Sequence, residues 1–231
     1  MQEKKVVFKI LRYKPAVIDP PRYQEFELSV DENTSVLDGL ENIRLAQDAT
    51  LMYRHSCHHS SCGTCACMIN GQAALACITR VFSLNTSTVM LEPLEGFERL
   101  GDLAVDMRGF FTDISKDWSC LREVEKGKSA NIPQGIDRFV RFEDCIECGS
   151  CVAACPVSGK RREFLGPAVL AAIHREMIKS PARKSDLLAL ASGKRGERHC
   201  ERALHCSRVC PTAVYPARHI ADLRRIIGSK I

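Results

Sequence analysis

The sequence predicts an α+β protein of two domains, a β-grasp roll over residues 1–97 followed by an α-helical domain over residues 98–231. Two observations support this division. Apolar residues alternate along parts of the first segment, as in half-buried strands, whereas in the second segment they recur every three or four positions, as in helices. Prolines also separate the helical pieces of the second segment, because proline ends or kinks a helix.

Strands and one helix account for the first domain. We expect strands at residues 5–13, 23–30 and 88–92. Pro20 and Pro21 are predicted to break the chain between the first two strands. Asn33, Thr34 and Ser35 offer caps for a helix that starts at residue 36, and Asn70-Gly71 is a strong signal for a hairpin turn. This order of elements is compatible with a ubiquitin-like roll.

Residues 93–103 are predicted to be a connection, and helical spacing follows it. The predicted helices cover residues 106–125, 167–179, 187–191 and 220–227. The sequence therefore places its later cysteine motifs in loops between helices.

Cysteine is the most informative part of the composition, with 13 residues among 231. Such density is typical of secreted disulfide scaffolds or of intracellular metal sites. The first residues, MQEKKVVFKILRY, contain neither the apolar segment nor the cleavage site of a signal peptide, which favours metal sites. No apolar run approaches the roughly 18 residues of a membrane span, so we expect a soluble or peripheral protein.

Charge is distributed unevenly between the domains. Residues 1–97 carry 9 Lys and Arg against 11 Asp and Glu, whereas residues 98–231 carry 24 against 17. A basic second domain is typical of a solvated face or of a surface that meets anionic lipid headgroups. Nucleic-acid binding is disfavoured, because the sequence lacks a platform of basic and aromatic residues.

The first cysteine set belongs to the first domain. Its spacing, C-x4-C-x2-C with a distant fourth cysteine, is the plant-type [2Fe–2S] pattern. Three thiolates on one loop can wrap two irons, and Gly63 permits close approach of the backbone to the sulfides. The predicted ligands are Cys57, Cys62, Cys65 and Cys77.

Other interpretations of this set remain open. A structural zinc site also takes four thiolates, although zinc knuckles are usually built from two CxxC pairs. His58 and His59 suggest a Rieske centre, but all four cysteines are present, so these histidines are expected beside the site or in solvent. Cys67 lies two residues past a ligand and is expected to be buried in the core.

Two ferredoxin-type runs belong to the second domain. The first, C-x2-C-x2-C-x3-C-P, is complete, and its fourth cysteine binds the other cluster of a pair. The second run has the same spacing, but Ala203 replaces its middle cysteine. By this crossed rule the [4Fe–4S] ligands are Cys145, Cys148, Cys151 and Cys210. The third cluster is left with Cys155, Cys200 and Cys206.

Ala203 determines the nature of the third cluster. A methyl group cannot bind iron, so a cube held by only three thiolates is expected to settle as [3Fe–4S]. Two cysteines, Cys67 and Cys120, are then left over, and Cys120 is also expected to be a core thiol.

These motifs resemble the iron–sulfur subunits of succinate dehydrogenase and quinol:fumarate reductase, the complex II family, over essentially the whole chain. Besides the cysteines, the resemblance rests on residues 12–15, 56–57, 62–65, 102–107, 164–167 and 206–211. It implies a β-grasp [2Fe–2S] ferredoxin-like domain followed by an α-helical ferredoxin-like domain.

The resemblance also implies an oxidoreductase subunit that has no substrate-converting site of its own. A partner flavoprotein with bound FAD would interconvert succinate and fumarate. Electrons would pass through the [2Fe–2S], [4Fe–4S] and [3Fe–4S] clusters to a quinone near the last cluster. Membrane-anchor subunits with haem or quinone would complete a hetero-oligomer, peripheral at the cytoplasmic side of the cell membrane. The residues suggested near the quinone are Pro156, Lys160 and Arg224.

Several positions depart from many succinate dehydrogenases. Residues 157–162 contain no aromatic residue, and in length and in Gly159 they are similar to fumarate reductases. Glu201, His205 and Thr212 stand where His, Asn and Lys are common. A second hypothesis therefore stays open, a subunit of a soluble or non-quinone flavoenzyme complex such as a thiol-driven fumarate reductase. A free ferredoxin-type carrier is disfavoured, because it needs no fused second domain.

Charged residues and histidines border the third cysteine set in sequence. Lys160, Arg161 and Arg162 form a basic run that faces either solvent or the anchor subunit and lipid headgroups. His199 and His205 flank predicted ligands, where they are expected to support the cluster through hydrogen bonds.

Overall fold

The computed structural model describes residues 3–114, 145–158 and 163–229. The chain forms two compact units. The first contains Met1–Met107 and Glu147–Ala153, and the second contains Arg108–Ile146 and Ala154–Ile231. The first unit thus extends past residue 97, where the sequence predicts its end.

A five-stranded sheet in the order β2-β1-β5-β3-β4 forms the frame of the first unit. Its strands are β1 (Lys4–Lys14), β2 (Ile18–Val30), β3 (Ala66–Ile69), β4 (Gln72–Leu75) and β5 (Thr88–Glu92). β1 and β5 are parallel, and the other neighbouring strands are antiparallel. This mixed sheet confirms the predicted β-grasp roll.

The second strand is longer than predicted. Pro20 and Pro21 were expected to break the chain, but both lie inside β2. The prediction is wrong because β2 is the edge strand of the sheet, where a residue without an N–H group need not remove a ladder hydrogen bond.

Helix α1 (Val36–Ala46) begins where the sequence predicts it. Ser35 accepts a hydrogen bond from the Asp38 N–H group, and Asp38 accepts one from the Ser35 N–H group, which completes a capping box. A Cβ at Gly39 would lie 2.6 Å from the Phe8 ring, so glycine is what lets the helix approach the sheet closely. The Asn70-Gly71 pair forms the predicted turn between β3 and β4, with positive φ angles of 49° and 77°.

The predicted connection over residues 93–103 contains a strand. β6 (Glu98–Gly101) and β7 (Ala104–Asp106) form a separate two-stranded sheet. Asp102, in the turn between them, accepts hydrogen bonds from the Tyr13 and Met52 N–H groups at 2.8 Å. It also accepts one from Arg12 Nε at 3.1 Å, and both charged side chains are fully buried. This buried network ties the hairpin to β1 and to the start of the cysteine loop.

Short and long helices make up the rest of the described chain. They are α2 (Arg108–Asp113), α3 (Ser150–Ala153), α4 (Pro167–Lys179), α5 (Lys184–Ser192), α6 (His205–Arg208) and α7 (Pro216–Gly228). Of these, α3 belongs to the first unit and packs against β4. The predicted helices at 167–179, 187–191 and 220–227 are confirmed. Of the helix predicted at 106–125, only the part up to residue 114 lies among the described residues.

Helix α4 lies at the centre of the second unit. All of its residues from Pro167 to Met177 are buried, because both α5 and α7 pack against it. Two buried histidines, His174 on α4 and His219 on α7, face each other with their Nδ1 atoms 2.9 Å apart. Across the described residues, no helix has both the length and the apolar character needed to cross a membrane.

Candidate metal centres

The loop between α1 and β3 brings the first cysteine set together. Backbone N–H groups of this loop donate hydrogen bonds to the thiol sulfurs at 3.2–3.5 Å. The donors are Ser60 to Cys77, Ser61 and Cys62 to Cys57, and Thr64 to Cys62. Amides that point at sulfur stabilise the thiolate form, which is the form that binds metal.

Residues in the left-handed backbone conformation point the amides of this loop at the cysteine sulfurs. His58, Ser60 and Gly63 all have positive φ angles, of 62°, 61° and 69°. Successive N–H groups in such a conformation form a concave nest that favours anions. Glycine adopts this conformation at no steric cost, which supports the role predicted for Gly63.

The thiols of this set influence one another. Burial raises the pKa of Cys62, but hydrogen bonds from Thr64 and the neighbouring Cys57 outweigh it and lower the pKa to about 6. Burial, together with the neighbouring Cys77 and Cys62, raises the pKa of Cys65 to about 12. Four thiols that meet in this way form a donor set that fits a two-iron cluster, since bound iron supplies the positive charge that a buried thiolate needs.

Cys67 lies apart from the donor set. It is buried on β3, and burial raises its pKa to about 12, so its thiol is protonated and unreactive. This position matches the predicted core thiol. Cys120, the other cysteine left over by the motifs, lies outside the described residues.

Arg54 is a buried charged residue near the cysteine sites that the sequence analysis missed. Its Nε and Nη2 atoms are buried and have no hydrogen-bond partner among the described residues. Burial lowers the pKa of Arg54, whereas negative charge on the nearby sulfurs of Cys67, Cys65 and Cys148 would raise it. A buried cation with two unused donors beside predicted ligands fits a cluster, whose sulfur atoms accept hydrogen bonds and whose charge is negative. No local motif marks this arginine.

The second cysteine set is divided between the units. Cys148 and Cys151 belong to the first unit, at the start of α3, whereas Cys145 and Cys210 belong to the second. The Cys148 thiol donates to Ser150 Oγ at 3.4 Å. In the second unit, the Val214 N–H group donates to Cys210 Sγ at 3.3 Å, which repeats the amide-to-sulfur pattern of the first set. The ligand role of these four cysteines stays a prediction.

The third cysteine set lines one cavity of ≈ 270 Å³ in the second unit. Cys155, Cys200 and Cys206 face it, and so does Ala203. Burial first, and the neighbouring Cys155 and Cys200 next, raise the pKa of Cys206 to about 11. Three thiols and one methyl group around a common space form a donor set that fits a three-iron cluster, as the motif predicts.

The residues predicted near a quinone are only partly described. Pro156 and Arg224 line the same cavity, whereas Lys160, with Arg161 and Arg162, lies outside the described residues. Arg224 forms a salt bridge with Glu197 and donates to the carbonyl oxygens of Glu197 and Cys200 at 2.8 and 2.7 Å. Its guanidinium therefore holds the backbone that carries Cys200.

The two histidines that flank this set differ in their surroundings. His199 Nε2 lies 2.7 Å from the Lys194 carbonyl oxygen, and its ring packs near Phe164. His205 begins α6 and lines the cavity. His199 is thus held by the backbone, whereas His205 is the histidine that faces the cysteine site.

Comparisons with known proteins match both cysteine-bearing segments to cluster-binding domains. Residues 7–112 match a 2Fe-2S iron-sulfur cluster binding domain, and residues 141–214 match a 4Fe-4S dicluster domain. The fumarate reductase iron-sulfur subunit of Mycobacterium tuberculosis is 34% identical over 92% of this chain and 89% of its own length. The mitochondrial succinate dehydrogenase [ubiquinone] iron-sulfur subunit of Candida glabrata is 31% identical over 94% and 89%.

A solved structure has the same fold. A chain of the Mycobacterium smegmatis Sdh1 complex in the apo form aligns with a TM-score of 0.81, covering 99% of this chain and 98% of that chain at 20% identity. This likeness shows the fold. The family is shown by the relatives above 30% identity over nearly the full length, together with the two cluster-binding domains. The chain belongs to the family of iron–sulfur subunits of fumarate reductase and succinate dehydrogenase.

Proposed function

We propose that the chain carries electrons between an FAD-containing subunit, which interconverts succinate and fumarate, and a membrane quinone. The observation that carries this proposal is the convergence of three thiols and one methyl group on a single cavity. A ferredoxin-type run that lacks one ligand, fused to a [2Fe–2S] domain, gives three clusters of different kinds in one chain. Three sites in sequence suit a protein that conducts electrons between two partners.

The proposed ligands are those that the motifs predict. The [2Fe–2S] cluster is held by Cys57, Cys62, Cys65 and Cys77. The [4Fe–4S] cluster is held by Cys145, Cys148, Cys151 and Cys210, and the [3Fe–4S] cluster by Cys155, Cys200 and Cys206. The shared hydrogen bonds and mutual influence of the first set, and the common cavity of the third, support this assignment.

The protein's own residues determine how readily each site accepts negative charge. Iron–sulfur clusters supply one-electron chemistry, and hydrogen bonds to sulfur and nearby charge set their potentials. The amides of Ser60, Ser61 and Thr64 donate to thiolate sulfur at the first site. Arg54 adds a buried positive charge beside Cys65 and Cys148. Both features favour the reduced, more negative form of a neighbouring cluster.

The proposed assembly is a hetero-oligomer with a flavoprotein and membrane-anchor subunits that hold haem or quinone. We place it at the cytoplasmic side of the cell membrane, as a peripheral subunit. The basic character of residues 98–231 supports a surface that meets anchor subunits or anionic headgroups. The quinone would lie near the [3Fe–4S] site, beside Pro156 and Lys160. Arg224 would act there by holding the Cys200 loop rather than by direct contact.

The test is electron paramagnetic resonance (EPR) on the complex purified anaerobically from native membranes. Succinate should reduce the [3Fe–4S] and [2Fe–2S] sites, and a quinone added afterwards should reoxidise them. Clusters that are present but do not respond to succinate would overturn the proposed flavoprotein partner. Clusters that respond to succinate but not to quinone would instead favour a non-quinone complex, such as a thiol-driven fumarate reductase.

A further inference from the structure

A cluster of three metal-binding side chains lies outside the cysteine sites. It consists of Glu41 on α1 and of His55 and His58 on the loop that follows, and we call it the Glu-His-His cluster. One atom from each residue approaches a common point. His55 Nδ1 lies 3.3 Å from His58 Nε2, and Glu41 Oε1 lies 3.7 Å from His55 Nδ1 and 3.5 Å from His58 Nε2.

These distances suit a shared metal ion better than a hydrogen-bond network. Hydrogen bonds from nitrogen to oxygen are usually about 2.7–3.2 Å, so both contacts to Glu41 are too long to be strong ones. Zinc bonds nitrogen and oxygen at about 2.0–2.2 Å, which separates two ligands of a tetrahedral site by roughly 3.3–3.6 Å. The three observed separations of 3.3, 3.5 and 3.7 Å are close to the edges of such a tetrahedron.

Ring geometry lets the two histidines reach one point. The His55 and His58 rings are nearly perpendicular, at 89°, with centroids 5.3 Å apart. His55 also packs on Tyr53, at 5.2 Å between centroids, which limits the orientations of its ring. His58 adopts a positive φ of 62°, a left-handed conformation that a non-glycine residue rarely takes.

We propose that Glu41, His55 and His58 bind one divalent transition-metal ion of the zinc class. Two imidazoles and one carboxylate are a frequent protein ligand set for zinc, and three ligands leave a fourth position for water or another group. All three side chains are partly exposed, so the ion can enter from solvent. The ion would join α1 to the loop that carries Cys57, one residue away from His58.

The test uses the full chain with its clusters, in its native complex and under anaerobic conditions. Zinc alone is added from a metal buffer, and zinc and iron per chain are counted after dialysis. X-ray absorption at the zinc edge should then show only nitrogen and oxygen neighbours at about 2.0–2.2 Å. Zinc–sulfur scattering near 2.3 Å, or loss of iron as zinc is gained, would show zinc in the cysteine sites and overturn the proposal.

Variants separate this site from incidental binding. His55→Gln, His58→Gln and Glu41→Gln should each weaken zinc binding by more than about tenfold, since even a change in the surroundings of a ligand costs 10–100-fold. His59→Gln is the matched control, because His59 is exposed on the same loop but outside the Glu-His-His cluster. Equal affinity in all four variants, or no zinc retained by the unmodified protein, would refute the site.

Discussion

The first and third cysteine sites present their thiols in different surroundings. At the first site, loop amides donate to Cys57, Cys62 and Cys77, and the buried Arg54 lies nearby. At the third site, Cys206 is buried in a cavity where a methyl group occupies the position of a fourth thiol. Under the proposed ligand assignment, polar groups around the first site would tune its charge, whereas the number of thiols at the third site would decide its iron content.

The largest effect on stability is expected from the buried Asp102 network, which ties the β6–β7 turn to β1 and to the start of the cysteine loop. Asp102→Ala removes a buried carboxylate that pairs with Arg12 and accepts from the Met52 amide, at the start of the cysteine loop. Breaking a buried ion pair from one side typically costs about 3–5 kcal/mol, and we expect the lower end of that range here because Arg12 keeps its salt bridge with Asp48 at 2.7 Å. We expect urea unfolding, followed by the visible circular dichroism of the [2Fe–2S] site, to shift by this amount.

Glu98→Gln provides the control for that measurement. Glu98 is exposed on the neighbouring strand β6, so its loss should change the free energy of unfolding by less than about 0.5 kcal/mol. If both variants have the same free energy of unfolding, the stability of the first site does not depend on the buried ion pair.

The next test changes the number of thiols at the third site. Ala203→Cys should supply the missing fourth ligand and convert the [3Fe–4S] cluster into [4Fe–4S], as the complete run at residues 145–156 implies. The EPR signal of the oxidised three-iron cluster should then disappear, with one more iron per chain. Ala203→Val keeps an apolar side chain and should retain the signal. A three-iron signal that persists in the cysteine variant would contradict the proposed geometry.

A smaller effect is expected from the charge beside the first site. Arg54→Gln removes a buried cation near Cys65 and Cys148. At a fixed solution potential, the ratio of reduced to oxidised [2Fe–2S] cluster should fall on the order of tenfold, since a unit charge several ångströms away acts through an effective dielectric constant near 20. EPR-monitored redox titration measures this ratio. Arg22→Gln, an exposed position on β2, should leave it unchanged.

The smallest expected effect is a pH dependence in the second unit. Burial lowers the pKa of His174 from its ordinary value, although Asp222 opposes the shift, so the folded state holds this residue neutral. The unfolded chain binds the proton more readily, and stability should therefore be complete above pH about 6.5 and decrease as the pH falls below it. Unfolding midpoints measured between acidic and neutral pH should show this slope. His174→Gln should reduce it, and an equal slope in the variant would exclude His174 as the source.

Much of the grouping of the cysteines could be predicted because it is local. The spacing within residues 57–65, 145–156 and 200–211 defines which thiols share a loop, and the Asn70-Gly71 turn follows from two residues alone. Helix α1 was likewise predictable from the caps offered by Asn33, Thr34 and Ser35 and from its apolar period, and the structure places the cap at Ser35. These features depend on neighbours in sequence, which a pattern can capture.

Features that depend on distant residues were missed. Pro20 and Pro21 lie in a strand because β2 is at the sheet edge, a position that no local pattern reveals. β6 is a strand of four residues that is held by Asp102 and Arg12, far apart in sequence. Arg54 was missed because only folding buries it near Cys148, and Glu41 because only folding brings it near His55 and His58.

In the proposed assignment, the number of cysteine ligands determines the number of irons in each cluster. Mössbauer spectroscopy tests this most directly, on the oxidised complex from cells grown with isotopically enriched iron. The assignment predicts that the iron of this chain divides among two-iron, four-iron and three-iron clusters, with the three-iron component absent from Ala203→Cys. A protein with intact clusters whose iron is found only in two-iron and four-iron forms would contradict it.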